Sequence, residues 1–127
     1  MCGKILVVDD SKLSRRTLRR ILEAAGFSVV EAEDGMSALE CYFLEKPDAV
    51  LLDLVMTGMY GLEVLEKLRE MDPHARVVIA SADIQSSTQQ LAERGGAAAV
   101  VHKPLVADEV LDALQKTLAG GQVLGTQ

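Results

Sequence analysis

Five apolar runs of strand length, each followed by a segment of helical character, limit what this chain can fold into. ILVV (residues 5–8), FSVVEA (27–32), AVLL (49–52), VVIA (77–80) and AAAVV (97–101) recur at regular intervals. These runs are apolar at both alternating positions, the pattern of strands covered on both faces, as in a parallel sheet. Five alternating βα units predict an α/β three-layer sandwich: a doubly wound, five-stranded parallel sheet with five helices.

The helical segments carry their own punctuation. In the first, Leu18, Ile21, Leu22 and Ala25 fall at i, i+3, i+4 and i+7, with Ser11 ahead as an N-cap and Gly26 behind as a stop. The last repeats the pattern with Ala107, Val110, Leu111, Leu114 and Leu118, and ends at Gly120-Gly121. Residues 36–45 and 61–71 read as helices closed by Pro47 and Pro73. The segment IQSSTQQLAER (84–94) has few apolar residues, and it is expected to be mobile or to form an interaction surface. One domain over residues 1–119 is expected, followed by a flexible tail at 120–127.

At 127 residues and 49% hydrophobic composition, the chain can bury one core. A net charge of −6 disfavours direct binding to nucleic acid, which needs cationic side chains to displace counterions. Cys2 and Cys41 are isolated, as in a reducing cytoplasm. No apolar stretch reaches the length of a membrane span or a signal peptide, so a cytoplasmic location is expected.

The chemistry concentrates where strands stop. Asp9 and Asp10 end the first, Asp53 the third, Ser81 the fourth and Lys103 the fifth. In an open parallel sheet the carboxyl ends of the strands form the ligand crevice. A doubly wound order would bring these residues together, which their spacing alone does not. Converging carboxylates call for a hard divalent cation such as Mg²⁺. A carboxylate can also attack phosphorus, with an ammonium such as Lys103 and a hydroxyl such as Ser81 serving the phosphoryl oxygens.

VVDDS, LLDLVMTGMYG, VIASAD and VHKP, in that order and spacing, resemble the receiver domains of two-component response regulators, most closely the free-standing chemotaxis type. The resemblance covers roughly residues 4–118 and implies the flavodoxin-like strand order 2-1-3-4-5. It implies that Asp53 is the phosphoacceptor and that Mg²⁺ is held by Asp10, Asp53 and the Val55 carbonyl, with Asp9 acting through water. Ser81 and Lys103 are then the hydroxyl and the lysine that engage the phosphoryl group. The implied donor is a sensor histidine kinase or a histidine phosphotransfer domain, and the implied switch is a monomer or weak dimer that catalyses its own phosphorylation and dephosphorylation.

Two positions depart from the family pattern: Thr57 replaces the usual proline and Val100 the usual aromatic. Valine cannot swing a ring inward, so output through loop and helix shifts, or signalling without phosphate, stays open. A dehalogenase-like phosphotransferase is disfavoured because Val55 stands where its second aspartate would be. A flavin carrier is disfavoured because DDSKLS would repel a phosphate. Arg15, Arg16, Arg19 and Arg20 form a basic face on the first helix, either solvated or a docking surface. His74 and His102 lack ligand partners at helical spacing. Met56, Met59 and Tyr60 read as loop packing.

Overall fold

A computed structural model describes residues 3–55, 61–82 and 86–120, with Ser86 and Ser87 by backbone alone. Met56, Thr57, Met59, Tyr60, Ile84 and the tail beyond Gly120 lie outside the described residues. The elements alternate as expected: β1 (Lys4–Val8), α1 (Lys12–Ala24), β2 (Ser28–Ala32), α2 (Gly35–Glu45), β3 (Ala49–Leu52), α3 (Gly61–Met71), β4 (Val77–Ser81), α4 (Ser86–Arg94), β5 (Ala99–His102) and α5 (Ala107–Leu118).

The five strands form one parallel sheet in the order β2-β1-β3-β4-β5. Successive side chains of a strand point to opposite faces, so each run splits between two cores. Leu6, Val8, Val50, Leu52 and Ile79 pack beneath Ala38, Tyr42, Val64, Leu65, Leu68 and Ala92 from α2, α3 and α4. Ile5, Val7, Leu51, Val78 and Ala80 pack beneath Leu18, Leu22, Val110 and Leu114 from α1 and α5. Each fully buried aliphatic side chain contributes about 1.5–3 kcal/mol relative to exposure, so both faces anchor the strands and hence the loops at their ends. The outer strands β2 and β5 are the exceptions to burial on both sides, with Ser28 and Glu31 exposed on one and His102 on the other.

The helix ends follow the expected chemistry. Ser11 caps α1 by accepting a hydrogen bond from the Ser14 N–H at 3.2 Å, and Asp34 caps α2 by accepting from Ser37 at 2.8 Å. Phe27 and residues 97–98 belong to the turns before β2 and β5, where the N–H of Phe27 donates to Leu22 and that of Ala97 to Ala92. The segment of weak pattern is a helix from Ser86. Its Ala92 is buried against the core and its Leu91 is exposed.

Gly61 shows how α3 is fitted to the sheet. A Cβ there would lie 2.4 Å from the Leu54 Cα and 2.6 Å from the Asp53 carbonyl oxygen, and the Gly61 N–H donates to the Leu54 carbonyl at 3.0 Å. Only glycine lets the helix start this close to the segment that follows β3.

The basic face of α1 divides in two. Arg15 Nε and Arg19 Nε donate to the Glu31 carboxylate on β2 at 3.0 and 2.6 Å, and Arg19 Nη1 donates to Glu23 at 2.8 Å. Arg16 and Arg20 are exposed. Two of the four arginines are thus committed to the fold, because α1 lies beside β2 and the exposed Glu31 of β2 draws them over. The Arg19 guanidinium, with Arg15 assisting, holds the Glu31 carboxyl below its ordinary value of 4.5. A lowered carboxyl stabilises the fold above its ordinary value and loses that contribution as pH falls through the native one. Glu31→Gln is therefore expected to cost about 1 kcal/mol in urea unfolding at neutral pH, since the cluster is partly solvated. The deficit should shrink at acid pH, as the lowered native carboxyl is protonated. A deficit equal at both pH values would assign it to packing instead.

Candidate functional site

The strand order places the ends of β1, β3, β4 and β5 side by side, and backbone bonds carry the ladder one residue past them. The Asp9 N–H donates to the Ala32 carbonyl at 3.2 Å, Asp53 to Val8 at 3.0 Å and Lys103 to Ser81 at 3.1 Å. The two aspartates and the lysine are therefore each fixed by the end of a neighbouring strand. They open on a cavity of about 340 Å³ lined by Asp9, Asp10, Ser11, Asp53, Val55, Ser81, Ala82 and Lys103. Every site residue expected from the sequence is in that lining. Larger concavities occur elsewhere, but this one gathers the acids.

Asp9 and Asp53 are buried, at 2% and 7% exposure, while Asp10 is exposed. Lys103 reaches between the two buried acids: Nζ donates to Asp9 Oδ2 at 2.7 Å and to Asp53 Oδ2 at 3.2 Å, and lies 3.4 Å from Ser14 Oγ. Burial alone would pull the Lys103 ammonium down. The Asp9 hydrogen bond and the charges of Asp53 and Asp9 outweigh it and raise the pKa above 10.5. The remaining carboxylate oxygens face backbone donors, with Asp9 Oδ1 accepting from Ser11 at 2.9 Å and Asp53 Oδ1 from Val55 at 3.1 Å.

Arg15 joins the site from behind. Its Nη1 donates to the Asp9 carbonyl at 2.7 Å, so one guanidinium ties α1 to both Glu31 and the loop that carries the acids. Sequence reasoning missed this role and placed Arg15 on a surface face. It also missed the Lys103 bond to Asp9, since 94 residues separate them and no spacing rule connects them.

Three carboxylates and one ammonium leave an excess of negative charge. Oxygen atoms of Asp9, Asp10 and Asp53 lie within 4.8 Å of one another, a hard, all-oxygen donor set suited to a divalent cation. Ser81 supplies the other unmet demand. It is 1% exposed, and its hydroxyl has no hydrogen-bond partner among the described residues. An orphaned buried hydroxyl beside an acidic cavity is suited to an incoming polar group. The arrangement can offer a carboxylate nucleophile at Asp53, positive charge from Lys103 and a hydrogen bond from Ser81.

Residues 5–115 match the family described as response regulator receiver domain. The chain is 40% identical over 119 residues to the chemotaxis protein CheY of Bacillus subtilis (strain 168), covering 93% of this chain and 99% of that one. It is 36% identical over 118 residues to sporulation initiation phosphotransferase F of the same organism, covering 93% and 95%. Among solved structures, a two-component response regulator of the LuxR family from Aurantimonas sp. SI85-9A1 superposes with a TM-score of 0.91 at 32% identity, covering 96% of this chain and 89% of that one. Motif order, sheet topology, the acidic cavity and these matches agree: the chain belongs to the response regulator receiver domains of two-component systems.

Proposed function

We propose that Asp53 accepts a phosphoryl group from a phosphohistidine donor, and that the phosphorylated state changes the surface near α4 and β5 that partners bind. The donor is a sensor histidine kinase or a histidine phosphotransfer domain. The observation that carries this reading is the Lys103 ammonium held between Asp9 and Asp53 beside the unpartnered Ser81 hydroxyl. Two buried carboxylates pinned by one lysine are a poor structural device, because a hydrophobic replacement of similar volume commonly stabilises as well or better. They suit a site whose charge balance changes during function.

In the transfer, an Asp53 carboxylate oxygen forms a bond to phosphorus as the bond from the donor histidine nitrogen to phosphorus breaks, and the imidazole leaves with that electron pair. Lys103 would follow the phosphoryl oxygens, and the Ser81 hydroxyl would donate to one of them. Asp10 and Asp53, with the Val55 carbonyl, would hold Mg²⁺ directly and Asp9 through water. Bound there, Mg²⁺ would neutralise charge on the phosphoryl oxygens. Hydrolysis of the acyl phosphate by water would reset Asp53. Val100 is half-buried against the core and offers no ring to move, so the signal would travel through the segment between β4 and α4 and through α4 itself.

Two outcomes follow. Incubation with acetyl phosphate should add one phosphoryl mass to the intact chain when Mg²⁺ is present, and none after chelation or in Asp53→Asn. Absence of labelling under conditions that label another receiver would support a phosphate-independent interaction module instead. Lys103→Met leaves Asp9 and Asp53 without their shared cation and is expected to cost about 3 kcal/mol in urea unfolding without Mg²⁺, the range for breaking a buried pair. Saturating Mg²⁺ should restore more stability to this variant than to the parent; an equal effect on both would remove Lys103 from the charge balance of the site.

A further inference from the structure

A second cavity lies at the opposite, amino ends of β4 and β5, away from the acidic site. It measures about 430 Å³, and its lining includes Arg69, His74, Arg76, Gly96, Thr117 and Gly120. No acidic residue lines it, in a chain of net charge −6. Neither arginine has a carboxylate within 4.0 Å among the described residues.

Arg69 is held in place rather than left to roam. Its Nη1 donates to the Ala75 carbonyl at 2.8 Å, which uses one of its N–H donors and leaves the others without protein partners among the described residues. The side chain lies over Gly96: a Cβ there would come within 2.6 Å of Arg69 Nε and 3.0 Å of Cζ, and the Gly96 φ of +99° is one that other residues rarely adopt. Glycine at 96 therefore makes room for a fixed guanidinium. Thr117, on the last turn of α5, is 1% exposed, and its hydroxyl has no hydrogen-bond partner among the described residues. A helical threonine can satisfy itself on the carbonyl one turn earlier, and this one does not. Two acids lie near this end of the sheet: Asp48, just before β3 and beside Arg76 in a neighbouring cavity, accepts from the Lys4 N–H at 2.7 Å, and Asp72, which feels the charge of Arg69, accepts from the Tyr42 hydroxyl at 2.8 Å and the His74 N–H at 2.9 Å.

We propose that this cavity is a binding site for a small phosphate-type oxyanion, recognised by the Arg69 and Arg76 guanidiniums and the Thr117 hydroxyl, and independent of the Asp53 site. Guanidinium presents several N–H donors in a plane that matches phosphate oxygens, and a buried hydroxyl gains a partner that the protein does not supply. The volume admits more than a free ion, so the phosphate is either inorganic or part of a small organic monoester.

The test is a titration of the ¹⁵N-labelled chain with inorganic phosphate, and in parallel with glycerol 3-phosphate, in a chelator and against sodium chloride of matched ionic strength. Saturable amide shifts are expected at Gly96, Ala98 and Gly120. Affinity should weaken about tenfold in Arg76→Gln and in Thr117→Val, each losing one hydrogen bond to a charged group. Arg76 is exposed and valine preserves the threonine shape, so both variants are expected to fold. Tighter saturation by the ester identifies an organic phosphate, and tighter saturation by phosphate identifies the free ion. Shifts matched by chloride, shifts confined to the residues around Asp9 and Asp53, or variants that titrate like the parent would overturn the proposal.

Discussion

Lys103 holds the functional end of this molecule together. Two buried carboxylates on adjacent strand ends repel each other and resist leaving water, and the cost falls only when a cation sits between them. The ammonium does this at 2.7 Å from Asp9 and 3.2 Å from Asp53. Its position depends on β5 lying at the edge beyond β4, with the Lys103 backbone tied to Ser81. The same contact that makes the buried carboxylate pair tolerable is the one that, in the proposed function, a phosphoryl group would compete for. That competition gives a physical basis for a switch, because a new anion at Asp53 would redraw the partners of Lys103 and Ser81 together.

The rest of the fold serves that geometry. Apolar packing on both faces of β1, β3 and β4 leaves the strand ends little freedom. Gly61 lets α3 begin against the backbone just after Asp53. Arg15 braces the Asp9 carbonyl from α1 and is itself held by Glu31 on β2. These elements thus converge on a few carboxylate oxygens.

The alternation of strands and helices was legible where a segment carries its own period or cap: Ser11 before α1 and the apolar spacing of α5 are local signals that the structure reproduces, whereas α4 carried only a weak one. The strand order was not local. It came from resemblance to receiver domains, and the structure and the family match agree with it. The site residues could be named from their positions at strand ends, yet how they contact one another could not. Lys103 meets Asp9 across 94 residues and Asp53 across 50, pairings that only the folded sheet creates. The basic face of α1 was misjudged for the same reason: its arginines are adjacent in sequence, but Glu31 selects two of them from another element. Nor could spacing reveal that the Ser81 and Thr117 hydroxyls are buried without partners, since that depends on what fails to surround them.

The central claim is that the bond formed is an acyl phosphate on one particular carboxylate, and its chemistry can be read directly. Borohydride reduces an acyl phosphate to the alcohol and so converts a phosphorylated aspartate into homoserine, which peptide mass mapping locates. After treatment with a phosphodonor and Mg²⁺, the account predicts homoserine at position 53 and at no other aspartate. Homoserine at position 9 or 10, or label that borohydride does not convert, would contradict it.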